Sequence, residues 1–417
     1  MYEIVKLQNG LRLISEHIPH VRSVSVGLWI GTGSMHEHPK ENGLSHFLEH
    51  MLFKGTERRS ARDIAESMDA IGGQINAFTS KECTCFYAKV IDEHLNVALD
   101  VLSDLALNAT LTEAELNKER GVILEEIAML EDAPEDLVHD LLLETVFQGN
   151  PLAQPILGRS TGIAAYTRDD LYKYRAAHYR PNNCVVSIAG NFPKDALSDL
   201  VEKYLGGWKS AEPPTLPEAA ACFHADHIAR TKDIEQIHLC LGFPGVPLGS
   251  DDVYPMSILN NLFGGGMSSR LFQRIREELG MAYSVYSYPT TYPGCGLFTM
   301  YAGTSMQHVE MVLDQLHREA MRLMADGIRP EEFDMAREQL KGSIILGLES
   351  SSSRMSNIGR SLLLLGRVRT EEQVLAAIAK VTPDDVMRIA GETLLKPHGV
   401  SVVGREAERM PLEWLKG

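Results

Sequence analysis

The stretch Gly43-Leu-Ser-His-Phe-Leu-Glu-His-Met-Leu-Phe-Lys-Gly55 contains two histidines and a glutamate in the order H-x-x-E-H. On a helix, at about 100° per residue, His46 and His50 lie about 40° apart on one face with Glu49 beside them. The opposite face carries an apolar stripe made of Leu44, Phe47, Leu48, Met51 and Leu52. The pattern predicts a helix, with Asn42 as its N-cap, that is packed on one side and presents two imidazoles and a carboxylate to a cleft on the other.

These three polar side chains suit a catalytic metal site. Two neutral imidazoles one turn apart can bind the same zinc ion at about 2.0–2.1 Å and leave room for a third protein ligand and a water. Glu49 is then placed to take a proton from that water as a general base. The order H-x-x-E-H is the inverzincin signature, the reverse of H-E-x-x-H. The alternative is two surface histidines beside a helix-face glutamate, because a chain with 15 histidines can match so short a pattern by chance.

A second predicted helix supplies candidates for the third ligand. Thr112 and Glu115 have the spacing of a capping box, which indicates a helix start. Further along, Glu119 and Glu126 are two turns apart and share a face, whereas Glu125 points about 100° away from Glu126. Either Glu119 or Glu126 would complete a His2Glu set of the catalytic zinc type, and spacing alone does not choose between them. An acidic, solvent-exposed helix face is the alternative.

The segments H-F-L-E-H-M-L-F-K-G-T (46–56) and E-R-G-V-I-L-E-E (119–126) resemble the pitrilysin/insulysin family of zinc peptidases. The resemblance is greatest to the branch of the mitochondrial processing peptidase β subunit and its bacterial homologues, and it extends over nearly the whole chain. It implies one zinc ion per chain, bound by His46, His50 and the glutamate 76 positions after His50, which is Glu126. It also implies that Glu119 is a nearby acid that supports the ligands.

The resemblance assigns roles to two further pairs of residues. Asn76 and Ala77 lie in the stretch 75–87, which is similar to the edge strand to which the family's extended substrates add as an extra strand. An ordinary β-hairpin is the alternative there. Arg276 and Tyr283 resemble the Arg/Tyr pair that reaches the zinc site from the other half of the family's clamshell, where the tyrosine would stabilise the developing oxyanion. If the resemblance is not used, the alternative is an ordinary arginine on a helix face and an ordinary tyrosine on a strand.

The order of predicted elements indicates a duplicated domain. The second half of the chain repeats the order of the first, with Ser257, Asn260 and Asn261 where the first half has its H-x-x-E-H residues. We therefore predict an α+β fold of two similar domains, each a mostly antiparallel sheet with helices packed on it. Their expected bounds are 1–211 for a zinc-bearing domain, 212–223 for a linker, and 224–417 for a similar domain without metal ligands. The resemblance implies that such a chain is half of a clamshell.

Composition narrows the class of protein. A chain of 417 residues, 44% hydrophobic and 23% charged, is long enough for two globular domains. Its net charge of −16 argues against nucleic-acid binding, which requires a basic patch. No apolar run approaches the roughly 18 residues of a membrane span, and the first ten residues do not read as a signal peptide. The six cysteines show no disulfide or zinc-ribbon spacing, so we expect a cytoplasmic protein.

Together these observations predict a zinc metalloendopeptidase that hydrolyses extended peptides or unfolded segments. Glu49 is the expected general base, with Arg276 and Tyr283 as further catalytic residues. The resemblance implies a homodimer, with a heterodimer as the alternative. Two other functions stay open: a processing subunit that needs a partner, and a non-catalytic subunit like the core proteins of respiratory complexes. Those core proteins have lost the family's metal residues, which this chain keeps.

Overall fold

The computed structural model describes residues 2–210 and 221–410, which form two compact units. The described residues of the first unit are 2–128, 154–210 and 347–368, and those of the second are 129–153, 221–346 and 369–410. Each unit thus includes one segment that lies within the other unit's half of the chain. The predicted domain bounds stay a prediction. Residues 212–220 of the predicted linker are not among the residues that the structure describes.

The described residues contain two β-sheets and a set of surrounding helices. The strands are β1 (Tyr2–Lys6), β2 (Arg12–His17), β3 (Ser23–Ile30), β4 (Gln74–Thr79), β5 (Thr84–Ile91), β6 (Cys184–Gly190), β7 (His227–Thr231), β8 (Gln236–Pro244), β9 (Ala282–Tyr292), β10 (Cys295–Ser305) and β11 (Gly399–Gly404). The α-helices are α1 (Leu44–Leu52), α2 (Ala61–Asp69), α3 (Leu95–Asn108), α4 (Glu113–Glu131), α5 (Pro134–Val146), α6 (Ser160–Ala165), α7 (Arg168–His178), α8 (Lys194–Leu205), α9 (Val253–Phe263), α10 (Val309–Asp326), α11 (Pro330–Gly347), α12 (Ser351–Leu365), α13 (Glu371–Lys380) and α14 (Pro383–Leu394). A segment of π-helix spans Phe272–Glu278. Short 3-10 helices span Ser34–His36, Pro39–Glu41, Asp92–His94, Pro151–Ala153, Pro181–Asn183 and Ala407–Arg409.

The two sheets share one topology. The first has the strand order β1-β2-β6-β3-β5-β4 and the second has β7-β11-β8-β10-β9. Apart from β1, both sheets have the same strand order. The strand that comes first in the chain lies beside the strand that comes last, and next to these lie the second, the fourth and the third. In each sheet the first and last strands pair in parallel, and the other described pairs are antiparallel. The predicted α+β class with two similar, mostly antiparallel sheets is confirmed.

Each sheet carries a helix on the face opposite its larger core. On the first sheet, Met355 and Leu362 of α12 pack in one cluster with Trp29 of β3. On the second sheet, the hydroxyl of Ser401 in β11 donates to the carbonyl of Val138 in α5 at 2.6 Å. In both cases the covering helix belongs to the segment that its unit takes from the other half of the chain. Within the described residues, no helix combines the length and the apolar character needed to cross a membrane.

The predicted apolar stripe of α1 is buried in the core of the first unit. Its five residues are each at most 2% exposed: Leu44, Phe47, Leu48, Met51 and Leu52. They pack in one cluster with Leu28 of β3 and Phe86 of β5. Truncating Phe47 to alanine would leave a cavity and cost about 3–5 kcal/mol. The packed stripe therefore fixes the rotation of α1, and with it the direction in which the H-x-x-E-H side chains point.

Candidate metal centre

The side chains of His46, His50 and Glu126 meet at one point in the first unit. The Nε2 atoms of both histidines lie 3.7 Å from Oε2 of Glu126, which is too long for a hydrogen bond. Two ligand atoms of a tetrahedral zinc ion, each about 2.1 Å from the metal, lie about 3.4 Å apart. The observed separations fit three ligands around one ion. Among the described residues, this is the one group of three His, Cys, Asp or Glu side chains with a geometry suited to a metal.

The two histidines are partly buried and held close together. Their side chains are 12% and 19% exposed for His46 and His50, and their ring centroids lie 4.6 Å apart with an interplanar angle of 63°. Burial, followed by the neighbouring His50, lowers the pKa of His46 to about 4. The ring of His46 is therefore neutral at neutral pH, which is the form that binds a metal. Its Nδ1 atom is buried without a hydrogen-bond partner in the described part of the chain.

Glu119 lies behind His50 and not at the ligand point. Its Oε2 atom is 3.1 Å from Nδ1 of His50, and its Oε1 atom is 2.8 Å from Nζ of Lys54. A carboxylate that accepts a hydrogen bond from one ring nitrogen leaves the other nitrogen free to bind metal. The spacing in the sequence left the choice between Glu119 and Glu126 open, and the structure places Glu126 beside both Nε2 atoms.

Glu49, on α1, lies next to the three candidate ligands. Its side chain is hydrogen-bonded to Thr79, the last residue of β4. The Thr79 hydroxyl donates to Oε2 of Glu49 at 2.5 Å. Burial raises the pKa of Glu49, while the hydrogen bond from Thr79 and the nearby His50 oppose the rise. A raised pKa makes the carboxylate a stronger base. Sequence reasoning missed Thr79, because the packing of α1 against β4, rather than any local pattern, brings the two residues together.

The N-terminus of α1 is held by a buried carboxylate, and the predicted N-cap, Asn42, is wrong. Gly43 takes the N-cap position with φ of +95°, a left-handed conformation that favours glycine. Glu37 accepts hydrogen bonds from the backbone amides of Gly43 at 2.8 Å and Ser45 at 2.7 Å, so it satisfies donors that an N-cap side chain would otherwise bind. Asn42 donates to the same carboxylate at 3.1 Å. Burial raises the pKa of Glu37 to about 7.

A second buried carboxylate holds the turn that follows α1. The Asp104 side chain, on α3, is fully buried and accepts hydrogen bonds from the Thr56 hydroxyl at 2.8 Å and from Arg59 at 2.7 Å. Arg58 contributes a third contact at 3.0 Å. Buried carboxylates thus anchor the chain just before and just after the helix that carries the two histidines, which limits how far either ring can move.

Asn76 and Ala77 lie on β4 at the edge of the first sheet. This strand pairs with β5, and no other strand of the described residues pairs with its second side. The amide of Ala77 donates to the side-chain oxygen of Asn76 at 2.8 Å. The placement at a sheet edge agrees with the expected position for substrate pairing, whereas the role itself stays a prediction.

Arg276 and Tyr283 lie together in the second unit. The guanidinium carbon of Arg276 is 4.9 Å from the ring centre of Tyr283 and 4.8 Å from that of Phe272. Tyr283, at the start of β9, is 76% exposed. The structure therefore brings the predicted pair into contact on an accessible surface, and their catalytic role stays a prediction.

The second unit keeps the frame of the site without its ionisable groups. On α9, Oδ1 of Asn260 accepts a hydrogen bond from the Ser287 hydroxyl at 2.8 Å, much as Glu49 accepts one from Thr79. Asn261 donates to the carbonyl of Ala336 on α11 at 3.2 Å. Helix and strand are thus fastened in a similar way in both units, while the imidazoles and the acidic ligand are present in the first.

The fold and the site define a class: a duplicated α+β unit in which one copy carries an inverted zincin motif and a glutamate from a second helix. Residues 12–160 match the family Insulinase (Peptidase family M16), and residues 165–340 match the Peptidase M16 inactive domain. The chain belongs to peptidase family M16. A Bacillus subtilis protein described as an uncharacterized zinc protease is 46% identical over 396 residues, covering 95% of this chain and 96% of that protein. A Streptomyces coelicolor protein with the same description is 42% identical over 407 residues, covering 95% and 88%.

Solved structures from three organisms share the fold. A protease from Helicobacter pylori has a TM-score of 0.89 at 22% identity and covers 97% of this chain and 99% of its own. A Peptidase M16 inactive domain from Pseudomonas fluorescens has a TM-score of 0.90 at 17% identity, covering 97% and 98%. A chain of Complex III2 from Candida albicans has a TM-score of 0.88 at 22% identity, covering 99% and 98%. At these identities the likeness concerns the fold alone.

Proposed function

We propose that this chain is a zinc-dependent endopeptidase whose metal is bound by His46, His50 and Glu126. The observation that carries the proposal is the approach of both Nε2 atoms to Oε2 of Glu126 at 3.7 Å. The relatives described as zinc proteases support it, since they match nearly the whole chain at more than 40% identity. A purely structural subunit would need neither the three converging side chains nor a buried carboxylate beside them.

Each residue of the site has a distinct part in the proposed reaction. A bound zinc ion supplies a Lewis acid that polarises the peptide carbonyl and lowers the pKa of water. Glu49 takes the proton of the attacking water and passes it to the leaving amine. Glu119 holds the His50 ring so that Nε2 faces the metal. Arg276 and Tyr283 donate to the oxyanion that develops on the carbonyl oxygen.

The proposed substrate is an extended peptide or an unfolded segment that pairs with β4 beside Asn76 and Ala77. The strand lies at the edge of its sheet, and a substrate strand could add beside it once the Ala77 amide exchanges its bond to the Asn76 side chain. Backbone pairing does not read side chains, so the enzyme would accept varied sequences. Folded proteins would be poor substrates, because their backbone groups are already paired.

Removal and return of the metal test this proposal. The chain is stripped with a chelator and then titrated with zinc while cleavage of an unstructured polypeptide is followed by mass spectrometry. Cleavage should return in proportion to bound zinc up to about one ion per chain. Magnesium, which prefers six oxygen ligands, is the control and should not restore it. Zinc binding with no cleavage would overturn the proposal, and cleavage that begins on addition of a second chain would identify the partner-dependent alternative.

We further propose that the enzyme works as a dimer in which Arg276 and Tyr283 of one chain serve the zinc site of the other. Support comes from the resemblance to the larger family members, and from the exposure of Tyr283 at the surface of the second unit. In a symmetric dimer both chains use the same surface patch, so each chain would complete the site of its partner.

Mixing two inactive variants tests this arrangement. Glu49→Gln removes the base and Tyr283→Phe removes the oxyanion donor, so neither homodimer should cleave peptides. In a mixed dimer, one site would contain both changes and the other would contain neither. Random exchange should therefore restore up to about a quarter of wild-type activity. If mixed dimers form and stay inactive, the pair does not act across the subunits.

A further inference from the structure

Thr79 connects the exposed edge strand to the proposed general base. It is the last residue of β4, and its hydroxyl lies 2.5 Å from Oε2 of Glu49. Among the described residues, no other hydrogen-bond partner of the Glu49 side chain is observed. The position of the carboxylate therefore depends on one hydroxyl group, carried by the strand on which the proposed substrate would lie.

The hydrogen bonds around Thr79 fix the direction of its proton. The neighbouring Thr84 hydroxyl donates its proton to the carbonyl of Thr32 at 3.1 Å. The hydroxyl oxygens of Thr79 and Thr84 are 3.3 Å apart. Because the Thr84 proton is already donated to Thr32, a hydrogen bond between the two hydroxyls would have to use the proton of Thr79. Ionised Glu49 can only accept, and it lies much closer. The Thr79 proton thus points at Glu49 and leaves the second carboxylate oxygen free of this bond.

We infer that Thr79 is a positioning residue for Glu49: its hydroxyl holds the carboxylate in the orientation needed to take a proton from water. The inference rests on the proposed function. A base that is misplaced by about 1 Å loses on the order of a hundredfold in rate. The competing role is purely structural, since Ser287 and Asn260 make a similar contact in the unit without metal residues. The test must therefore separate the orientation of Glu49 from the fastening of α1 to β4.

Two variants of Thr79 make that separation in the zinc-loaded enzyme. Thr79→Val keeps the shape of the side chain and removes the hydroxyl, whereas Thr79→Ser keeps the hydroxyl and removes a methyl group. We expect Thr79→Val to lower kcat about 10- to 100-fold with KM and zinc content close to wild type, and Thr79→Ser to recover most of kcat. Equal kcat values for Thr79→Val and wild type would overturn the inference, as would equal losses in the two variants.

A second readout needs no activity and uses the metal-free chain. The unfolding midpoint is measured for Thr79→Val in the wild-type background and in the Glu49→Ala background. If the hydroxyl acts on Glu49, Thr79→Val lowers the midpoint in the first background and has little effect in the second. Equal shifts in both backgrounds would mean that Thr79 acts independently of Glu49 and would overturn the inference. A wild-type chain that cleaves no peptide would instead count against the proposed function, while this cycle would still report on the contact.

Discussion

Nδ1 of His50 lies 3.1 Å from Oε2 of Glu119, although the two residues are 69 positions apart in the chain. The other oxygen of Glu119 is paired with Lys54 at 2.8 Å. The carboxylate therefore joins a lysine just after α1 to a histidine within it, and it selects the ring form in which Nδ1 carries the proton. Nε2 of His50 is left free on the side of Glu126.

Replacing Glu119 should weaken zinc binding without removing a ligand. Glu119→Ala takes away both the charge and the acceptor, so we expect zinc affinity to fall about 10- to 100-fold. Glu119→Gln keeps an acceptor oxygen and should lose less. Affinity is measured by competition with a chromophoric chelator, with Glu113→Ala, at an exposed position on the same helix, as the control. Unchanged affinity in Glu119→Ala would mean that the carboxylate does not support His50.

Zinc content should distinguish Glu126 from its neighbour Glu125. Both are acidic residues of α4, but Glu126 faces the two Nε2 atoms and Glu125 is exposed to solvent. Metal analysis should find about one zinc per chain in wild type and Glu125→Ala, and a large loss in Glu126→Ala, because the tetrahedral set is then incomplete. Full zinc in Glu126→Ala together with loss in Glu119→Ala would reverse the assignment of the ligand.

The stability of the chain should depend on pH through Glu37, which caps α1. Burial raises the pKa of Glu37 from 4.5 to about 7, so the folded chain retains a proton that the unfolded chain releases between these values. The contribution of Glu37 to the free energy of unfolding is therefore full below pH 4.5 and is lost as the pH rises through about 7. The loss is on the order of 3 kcal/mol.

Denaturant unfolding of the metal-free chain at pH 5 and pH 8 tests this prediction. The wild type should lose more stability between the two values than Glu37→Gln, whose side chain does not titrate. Glu41→Gln, at a half-buried glutamate in the same loop that accepts a hydrogen bond from the His38 amide, is the control and should behave like wild type. The same pH dependence in wild type and Glu37→Gln would contradict the assignment.

The parts of the site that could be predicted are those that lie within one helix. The 3.6-residue period places Leu44 and Phe47 in the core and His46 and His50 on the other side, and this holds in the structure. The same period could not choose between Glu119 and Glu126, because both lie on one face of α4. The choice depends on how α4 packs beside α1. This is a tertiary contact, and no local sequence pattern indicates it.

Residues that support the site from a distance could not be predicted for the same reason. Glu37 lies six positions before Gly43 and reaches back to the helix amides through a loop, whereas an N-cap is expected next to the helix. Thr79 contacts Glu49 only because β4 packs beside α1. Nothing in the composition of α5 and α12 indicates that each covers the sheet of the other half of the chain.

At the proposed zinc site, Glu49 is the residue that would activate water for peptide hydrolysis. The most direct measurement compares the turnover of an unstructured peptide by wild type and by Glu49→Gln at equal zinc content and with peptide binding checked in both. Glutamine keeps the size and polarity of the side chain but does not accept the proton, so we expect unchanged zinc and peptide binding with turnover lowered at least roughly 10²-fold. Near-normal hydrolysis by Glu49→Gln would mean that a group other than Glu49 activates the water.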